Sequence, residues 1–253
     1  MRRLRFGRTD IAKGYLILVN PLHPFRGDMP KDCLVSVRPD TMHILLERQA
    51  AKMLAEVTAF LGCEHQIVPV SGYRTMREQQ TIYAASLHEH GEEFTRKYVA
   101  IPGCSEHQTG LAIDLAENKD DIDVIRPDFP YTGICGRFRK LSIQYGFTER
   151  YPAGREQITH IAHEPWHFRY VGYPHSQMMK ERALTLEEYT DYLKQYPYRG
   201  AHLRFKRNRR DFEIFYVPVQ RDHEAIIEIS DGVPYQVSGN NEDGIVVTLW
   251  RDR

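Results

Sequence analysis

The sequence predicts a chain that mixes helices with strands, and three observations carry that prediction. Apolar residues recur at helical spacing in several stretches, two of them opened by capping boxes. Short runs of β-branched and aromatic residues, bounded by turn residues, lie between them. After Tyr198 the texture becomes strand-rich to the end of the chain.

In chain order, residues 15–19 (YLILV) read as a short buried strand ending at the turn Asn20-Pro21. From Asp40 to Leu61 the apolar positions Met42, Leu45, Leu46, Met53, Leu54, Val57, Phe60 and Leu61 predict one helix. Asp40 is its N-cap and Gly62 its stop. Residues 66–71 read as a strand. The pair Thr75 and Glu78 opens a helix running to about His88. A strand over 111–115 leads to a charged loop, 117–131, and then to a helix over 133–145 stopped by Gly146. His167 to Val171 reads as a strand, with helical stretches near 175–183 and 186–195 after it. In the tail, EIFYVPV, AIIEIS, YQVSG and IVVTLW are strands separated by turns at Asp231-Gly232 and Asn240 to Gly244. The domain expectation is a main domain over 1–198 and a small β appendage over 199–253. The basic run Arg199, Arg204, Lys206, Arg207, Arg209 and Arg210 reads as a solvated connector between them, with contact to the phosphates of a ligand as its alternative.

Composition narrows the function. Lys+Arg and Asp+Glu are both 34, so the net charge is zero, and neither a nucleic-acid partner nor an anionic membrane is indicated. The four cysteines form no CxxC pair and read as reduced thiols. Arg2, Arg3 and Arg5 precede an apolar run too short for a secretory segment, and no stretch approaches a membrane span. The expectation is a cytoplasmic protein with no membrane insertion.

Three stretches concentrate the polar groups that chemistry requires: Ser71-Gly72-Tyr73-Arg74, then Ser105-Glu106-His107 with Asp114 downstream, then Glu164-Pro165-Trp166-His167. A catalytic zinc needs three protein ligands and an open position. His107, Asp114 and His167 supply two imidazoles and a carboxylate. Asp114 lies in an otherwise apolar strand and needs a partner, which a metal provides. Glu164, three residues before His167 across a Pro-Trp bend, is placed to act as general base. Arg74 at a helix N-terminus opposes the macrodipole, and so asks for an anionic partner such as a developing oxyanion. His160 and His163 are equally near, and spacing alone does not choose among the three imidazoles of HIAHEPWH. Trp166 by itself reads as core, with substrate contact as its functional alternative. The loop 117–131 carries Glu117, Asp120, Asp121, Asp123 and Asp128. It reads either as a polar surface loop or as one that lowers a carboxylate over the cleft, to pair with the ammonium of a small peptide.

The stretches SGYRTMREQQ (71–80), SEHQTGLAID (105–114) and HEPWHFRYVG (163–172) together resemble the VanY/VanXY-type D-alanyl-D-alanine carboxypeptidases and dipeptidases. This zinc D,D-peptidase family shares a superfamily with the VanX dipeptidases and the hedgehog metal-binding domain. The resemblance spans roughly residues 15–175. It implies the α+β class, with an antiparallel sheet and packed helices around one zinc per chain. It further implies His107, Asp114 and His167 as ligands, Glu164 as base, Arg74 as oxyanion partner, and Gln79 and Ser105 in the substrate cleft. The implied substrates are the D-Ala-D-Ala dipeptide and the muramyl-pentapeptide precursor, in the setting of vancomycin resistance. The alternatives are an L,D-carboxypeptidase or cell-wall endopeptidase on the same site, or a zinc-retaining binding module. Glu164 and Arg74 weigh against the last, since binding alone needs neither.

Overall fold

The computed structural model describes residues 1–27, 29–207 and 209–252. It opens with β1 (Arg2–Phe6), then β2 (Leu34–Ser36), β3 (Leu45–Glu47) and α1 (Arg48–Leu61). The middle of the chain holds β4 (Ile67–Ser71), α2 (Met76–Tyr98), β5 (Ala112–Glu117), α3 (Gly133–Ser142), β6 (Phe147–Tyr151) and α4 (Glu156–Thr159). After β7 (Glu164–Tyr170) come α5 (His175–Arg182), α6 (Leu186–Lys194), β8 (Leu203–Arg207), β9 (Arg210–Pro218), β10 (Ala225–Ile229), β11 (Tyr235–Gly239) and β12 (Gly244–Asp252). Helices combine with antiparallel sheets throughout, as the α+β expectation has it. Among the described residues no helix is long and apolar enough to cross a membrane.

The chain divides into two compact units, Val19–Thr185 and Met1–Leu18 with Leu186–Arg253. The smaller unit therefore takes in more than residues 199–253. Strand β1 pairs with β10, Arg2 opposite Ile229, which ties the N-terminus to the tail. Phe6 and Ile11 share an apolar cluster with Phe215, Ile227, Ile245 and Val247. The basic run is not a plain connector: Arg204, Lys206 and Arg207 lie on β8, which pairs with β9. Residues 15–19 form no strand, though 16–19 are buried: the Leu16 N–H donates to Ser238 Oγ and the Leu18 N–H to the Asn240 carbonyl.

In the larger unit a four-stranded antiparallel sheet, ordered β4-β5-β7-β6, carries the chemistry. Successive side chains of a strand face opposite sides. Phe168 thus leaves the face of its neighbour His167 and packs edge-on against Phe129 at 5.2 Å and Phe138 of α3 at 5.3 Å. Each such aromatic pair contributes about 0.5–1.5 kcal/mol beyond its burial. The apolar back of the sheet is a rigid support for the polar front.

Helix α1 starts at Arg48, not near Asp40. Residues 45–47 are instead committed to tertiary backbone pairing: they form a ladder with β2, Glu47 N–H donates to Gly110 O, and Leu45 O accepts from Tyr73 N–H. Glu47 also caps the helix, its carboxylate accepting from the N–H groups of Gln49 and Ala50. Gly62 ends it at φ 60°. The Thr75–Glu78 capping box opens α2, which runs past His88 to Tyr98 after a break at Gly91, φ 80°.

Candidate active site

Each functional side chain is placed by a local feature of this sheet. Asp114 on β5 is directly opposite His167 on β7, so the two project from one face as a cross-strand pair. His107 sits in a 3-10 turn, Glu106–Thr109, closed by Gly110 at φ 66°. A Cβ at Gly110 would stand 3.1 Å from the Glu47 N atom, so a side chain there would press on the start of α1. Glu164 lies in strand β7 itself, not across a bend before it. Residues three apart on a regular strand face opposite sides. Here the pairing with β6 slips between Glu149 and Tyr151, where two steps on β6 oppose four on β7, from Phe168 to Glu164. That irregularity returns Glu164 to the face of His167.

The donor atoms of His107, Asp114 and His167 lie within 4.8 Å of one another, and all three side chains are buried. His107 Nε2 is 3.1 Å from Asp114 Oδ2, and His167 Nδ1 is 3.0 Å from Asp114 Oδ1. Ligand atoms about 2.0–2.1 Å from a tetrahedral zinc stand about 3.3 Å apart, so the set fits that ion. His107 Nδ1 lies 2.6 Å from the Gly72 carbonyl; as a donor there, it leaves the Nε2 lone pair to face the metal position. Asp114 Oδ1 is buried with no hydrogen bond, a demand that a cation satisfies.

The electrostatics of the cluster are strongly displaced. Burial pushes the Glu164 carboxyl up to about 8 against the opposing pull of His167. For Asp114 burial raises the pKa, but the two histidines outweigh it and hold the carboxyl well below the usual range. Burial lowers His107 to about 4, with Arg74 adding to the effect. His167 goes the other way, to about 9, because Asp114 and Glu106 outweigh its burial. Such opposed shifts in one cleft are the pattern of a chemical site rather than a structural ion pair.

The cleft has a volume of about 220 Å³ and is lined by Arg74, Ser105, His107, Asp114, Glu164, Trp166 and His167, among others. Arg74 donates from Nε to Ser71 Oγ at 2.8 Å and from Nη2 to Asp114 Oδ2 at 3.0 Å. Gln79 does not line the cleft. It is fully buried, its Oε1 accepting from Arg74 Nη1 at 3.4 Å and its Nε2 donating to the Ala100 carbonyl. It braces the guanidinium from the side away from the cleft lining. His163 stays outside the donor set, 2.7 Å from the Tyr131 hydroxyl, and His160 is not part of the cluster either.

The loop 117–131 does reach the cleft, but with Val124 and Ile125 rather than with a carboxylate. Asp123 accepts from the N–H groups of Ile125 and Arg126, and Lys119 engages both Glu117 and Asp128. Those partners are local, which sequence alone does not reveal. The sequence reading also passed over Glu106, Arg150 and Arg169, three fully buried charges behind the site. Their signal was present: Glu106 adjoins His107, and Arg169 is two residues beyond His167 and so on its face of the strand.

The chain is similar to known proteins over much of its length. Residues 42–173 match the family model "VanY: D-alanyl-D-alanine carboxypeptidase". The chain is 42% identical over 181 residues to the bifunctional D-Ala-D-Ala dipeptidase and D-Ala-D-Ala carboxypeptidase VanXYC of Enterococcus gallinarum, covering 71% of this chain and 95% of that one. A crystal structure of the vancomycin resistance D,D-dipeptidase VanXYg, in complex with a D-Ala-D-Ala phosphinate analog, is 49% identical. It superposes with TM-score 0.96 over 99% of each chain. The D,D-pentapeptidase VanY from a VanB-type resistance cassette, solved in complex with Zn(II), is 26% identical at TM-score 0.55, over 70% of this chain and 98% of that one. Over half of its length, and with the three motifs converging on one cleft, the chain belongs to the VanY family of D-alanyl-D-alanine carboxypeptidases.

Proposed function

We propose that the chain is a zinc-dependent D,D-peptidase, hydrolysing D-Ala-D-Ala and the terminal D-Ala of the soluble muramyl-pentapeptide precursor. Such an activity removes the terminus that vancomycin binds. The observation that carries the reading is the convergence of His107, Asp114 and His167 within 4.8 Å, with the Glu164 carboxylate 3.7 Å from His167. When held by those three ligands, zinc supplies Lewis acidity, lowering the pKa of water and polarising the scissile carbonyl.

The chain's own residues do the rest. Glu164 takes the proton of the attacking water and passes it to the departing amine. Burial raises the proton affinity of its carboxyl, which suits it to accept a proton and hand it on. Arg74, fixed by Ser71, Gln79 and Asp114, presents its charge to the carbonyl oxygen as negative charge develops there. Ser105 and Trp166 shape the wall against which the peptide end rests. No covalent nucleophile is needed, and the Ser71 hydroxyl is already engaged by Arg74. A cleft of about 220 Å³ falls below the 300–1,000 Å³ usual for drug-sized ligands and suits a dipeptide end. All four cysteines are free thiols, which supports a reducing compartment and a cytoplasmic enzyme.

The test is D-alanine release, measured side by side from D-Ala-D-Ala, from a pentapeptide ending in D-Ala-D-Ala and from a tetrapeptide ending in an L,D bond. Release from the first two supports the proposal. Release from the tetrapeptide alone would replace it by an L,D-carboxypeptidase, and release from none would remove peptidase activity altogether.

A further inference from the structure

Behind the metal position lies a charge cluster that the proposed reaction does not use. Glu106 is fully buried; its Oε1 accepts from Arg150 Nε at 2.7 Å and lies 2.8 Å from Arg169 Nη1 as an ion pair. All three side chains have no exposure at all. Two guanidiniums against one carboxylate ensure that Glu106 is held as an anion, an acceptor only. Oε1 faces both arginines. The other, Oε2, makes no hydrogen bond and lies 3.6 Å from His167 Nε2, which is buried and makes none either.

The ring of His167 is therefore held between two carboxylates. Its Nδ1 faces Asp114 Oδ1 at 3.0 Å and its Nε2 faces Glu106. Tyr151, with its centroid 4.8 Å away, and the edge of His107 at 5.0 Å limit how the ring can turn. An anionic acceptor opposite Nε2 favours the tautomer with its proton there, and a small rotation closes the 3.6 Å gap to hydrogen-bond length. That tautomer leaves the Nδ1 lone pair pointing at the metal position.

From this geometry we infer that Glu106, anchored by Arg150 and Arg169, is a positioning residue that sets the tautomer and orientation of the metal ligand His167. The inference rests on the zinc reading above. The bland alternative is that Glu106 only balances the charge of the two arginines through Oε1. An orienting partner of this kind is worth about 10- to 100-fold in metal affinity.

The experiment uses the full chain and Zn(II). Zinc affinity is measured by competition with a chromogenic chelator for wild type and Glu106→Gln, with folding checked by circular dichroism. Nitrogen-15 spectra of the histidines in the zinc-loaded proteins report the tautomer of His167. Glu106→Gln is expected to bind zinc about 10- to 100-fold more weakly, and the His167 Nε2 proton signal is expected to lose its hydrogen-bonded shift. If Glu106→Gln is not recovered folded, the charge-balanced pair Glu106→Gln with Arg150→Met carries the same measurement. Affinity within about threefold of wild type, or a wild-type spectrum with the proton on Nδ1, would overturn the inference while leaving the zinc site standing. Failure of wild type to bind zinc would overturn both.

Discussion

Replacing Glu164 by Gln in metal-free protein should make it more stable near neutral pH, even as it removes the base. The native carboxyl titrates near 8 because of burial, against an ordinary value of 4.5. Between those values the folded protein holds a proton that the unfolded chain releases, so native stability falls as pH rises from 4.5 and levels off above 8. Each pH unit corresponds to about 1.4 kcal/mol. From pH 5 to pH 7 the deficit grows by about 2–3 kcal/mol in wild type. Gln has nearly the same shape and does not titrate, so the variant escapes that term. Urea denaturation with EDTA present, at pH 5, 6 and 7, gives both stabilities. The difference between the proteins should shift in favour of Glu164→Gln by about 2–3 kcal/mol across the range. Parallel stability curves would show that Glu164 ionises normally, and the argument that burial readies it for proton transfer would fall.

Three further outcomes follow from named contacts. His107→Ala should lose most of its bound zinc by metal analysis, whereas His163→Ala should retain one equivalent, because His163 is engaged with Tyr131 outside the donor set. Gln79→Leu should keep zinc and KM while kcat falls about 10- to 100-fold, since the guanidinium of Arg74 loses its rear brace; unchanged kcat would show that the brace is idle. Gly239→Ala should lower stability by about 3 kcal/mol in thermal denaturation, as the added Cβ would meet the Ile11 carbonyl oxygen at 2.0 Å.

Much of this was legible in the sequence because it depends on local chemistry. The Thr75–Glu78 capping box, the stops at Gly62 and Gly146 and the alternation in YQVSG each fix their element through near neighbours. The failures share a cause as well. Residues 40–47 have helical spacing, yet Leu45 and Glu47 spend their backbone groups on Tyr73 and Gly110, partners far along the chain. Strand β1 looked like a charged terminus because its partner, β10, lies more than two hundred residues away. Motif spacing brought Asp114 and His167 into consideration, but only strand register places them opposite one another. Glu164 needed a strand irregularity that no pattern encodes, and Gln79 appeared as substrate contact because a motif does not distinguish a wall from its support. Glu106 was hidden for the same reason: its meaning depends on Arg150 and Arg169 arriving from two other strands.

The most direct test of the account is reactivation of metal-stripped protein on D-Ala-D-Ala. D-alanine release should be absent after chelation, return in proportion to added Zn(II) and saturate at one equivalent per chain. Glu164→Gln loaded with the same equivalent should stay about 100- to 10,000-fold below wild type. Full activity in chelated protein, or a zinc-loaded Glu164→Gln that turns over within about tenfold of wild type, would contradict the assignment of metal and base on which the account rests.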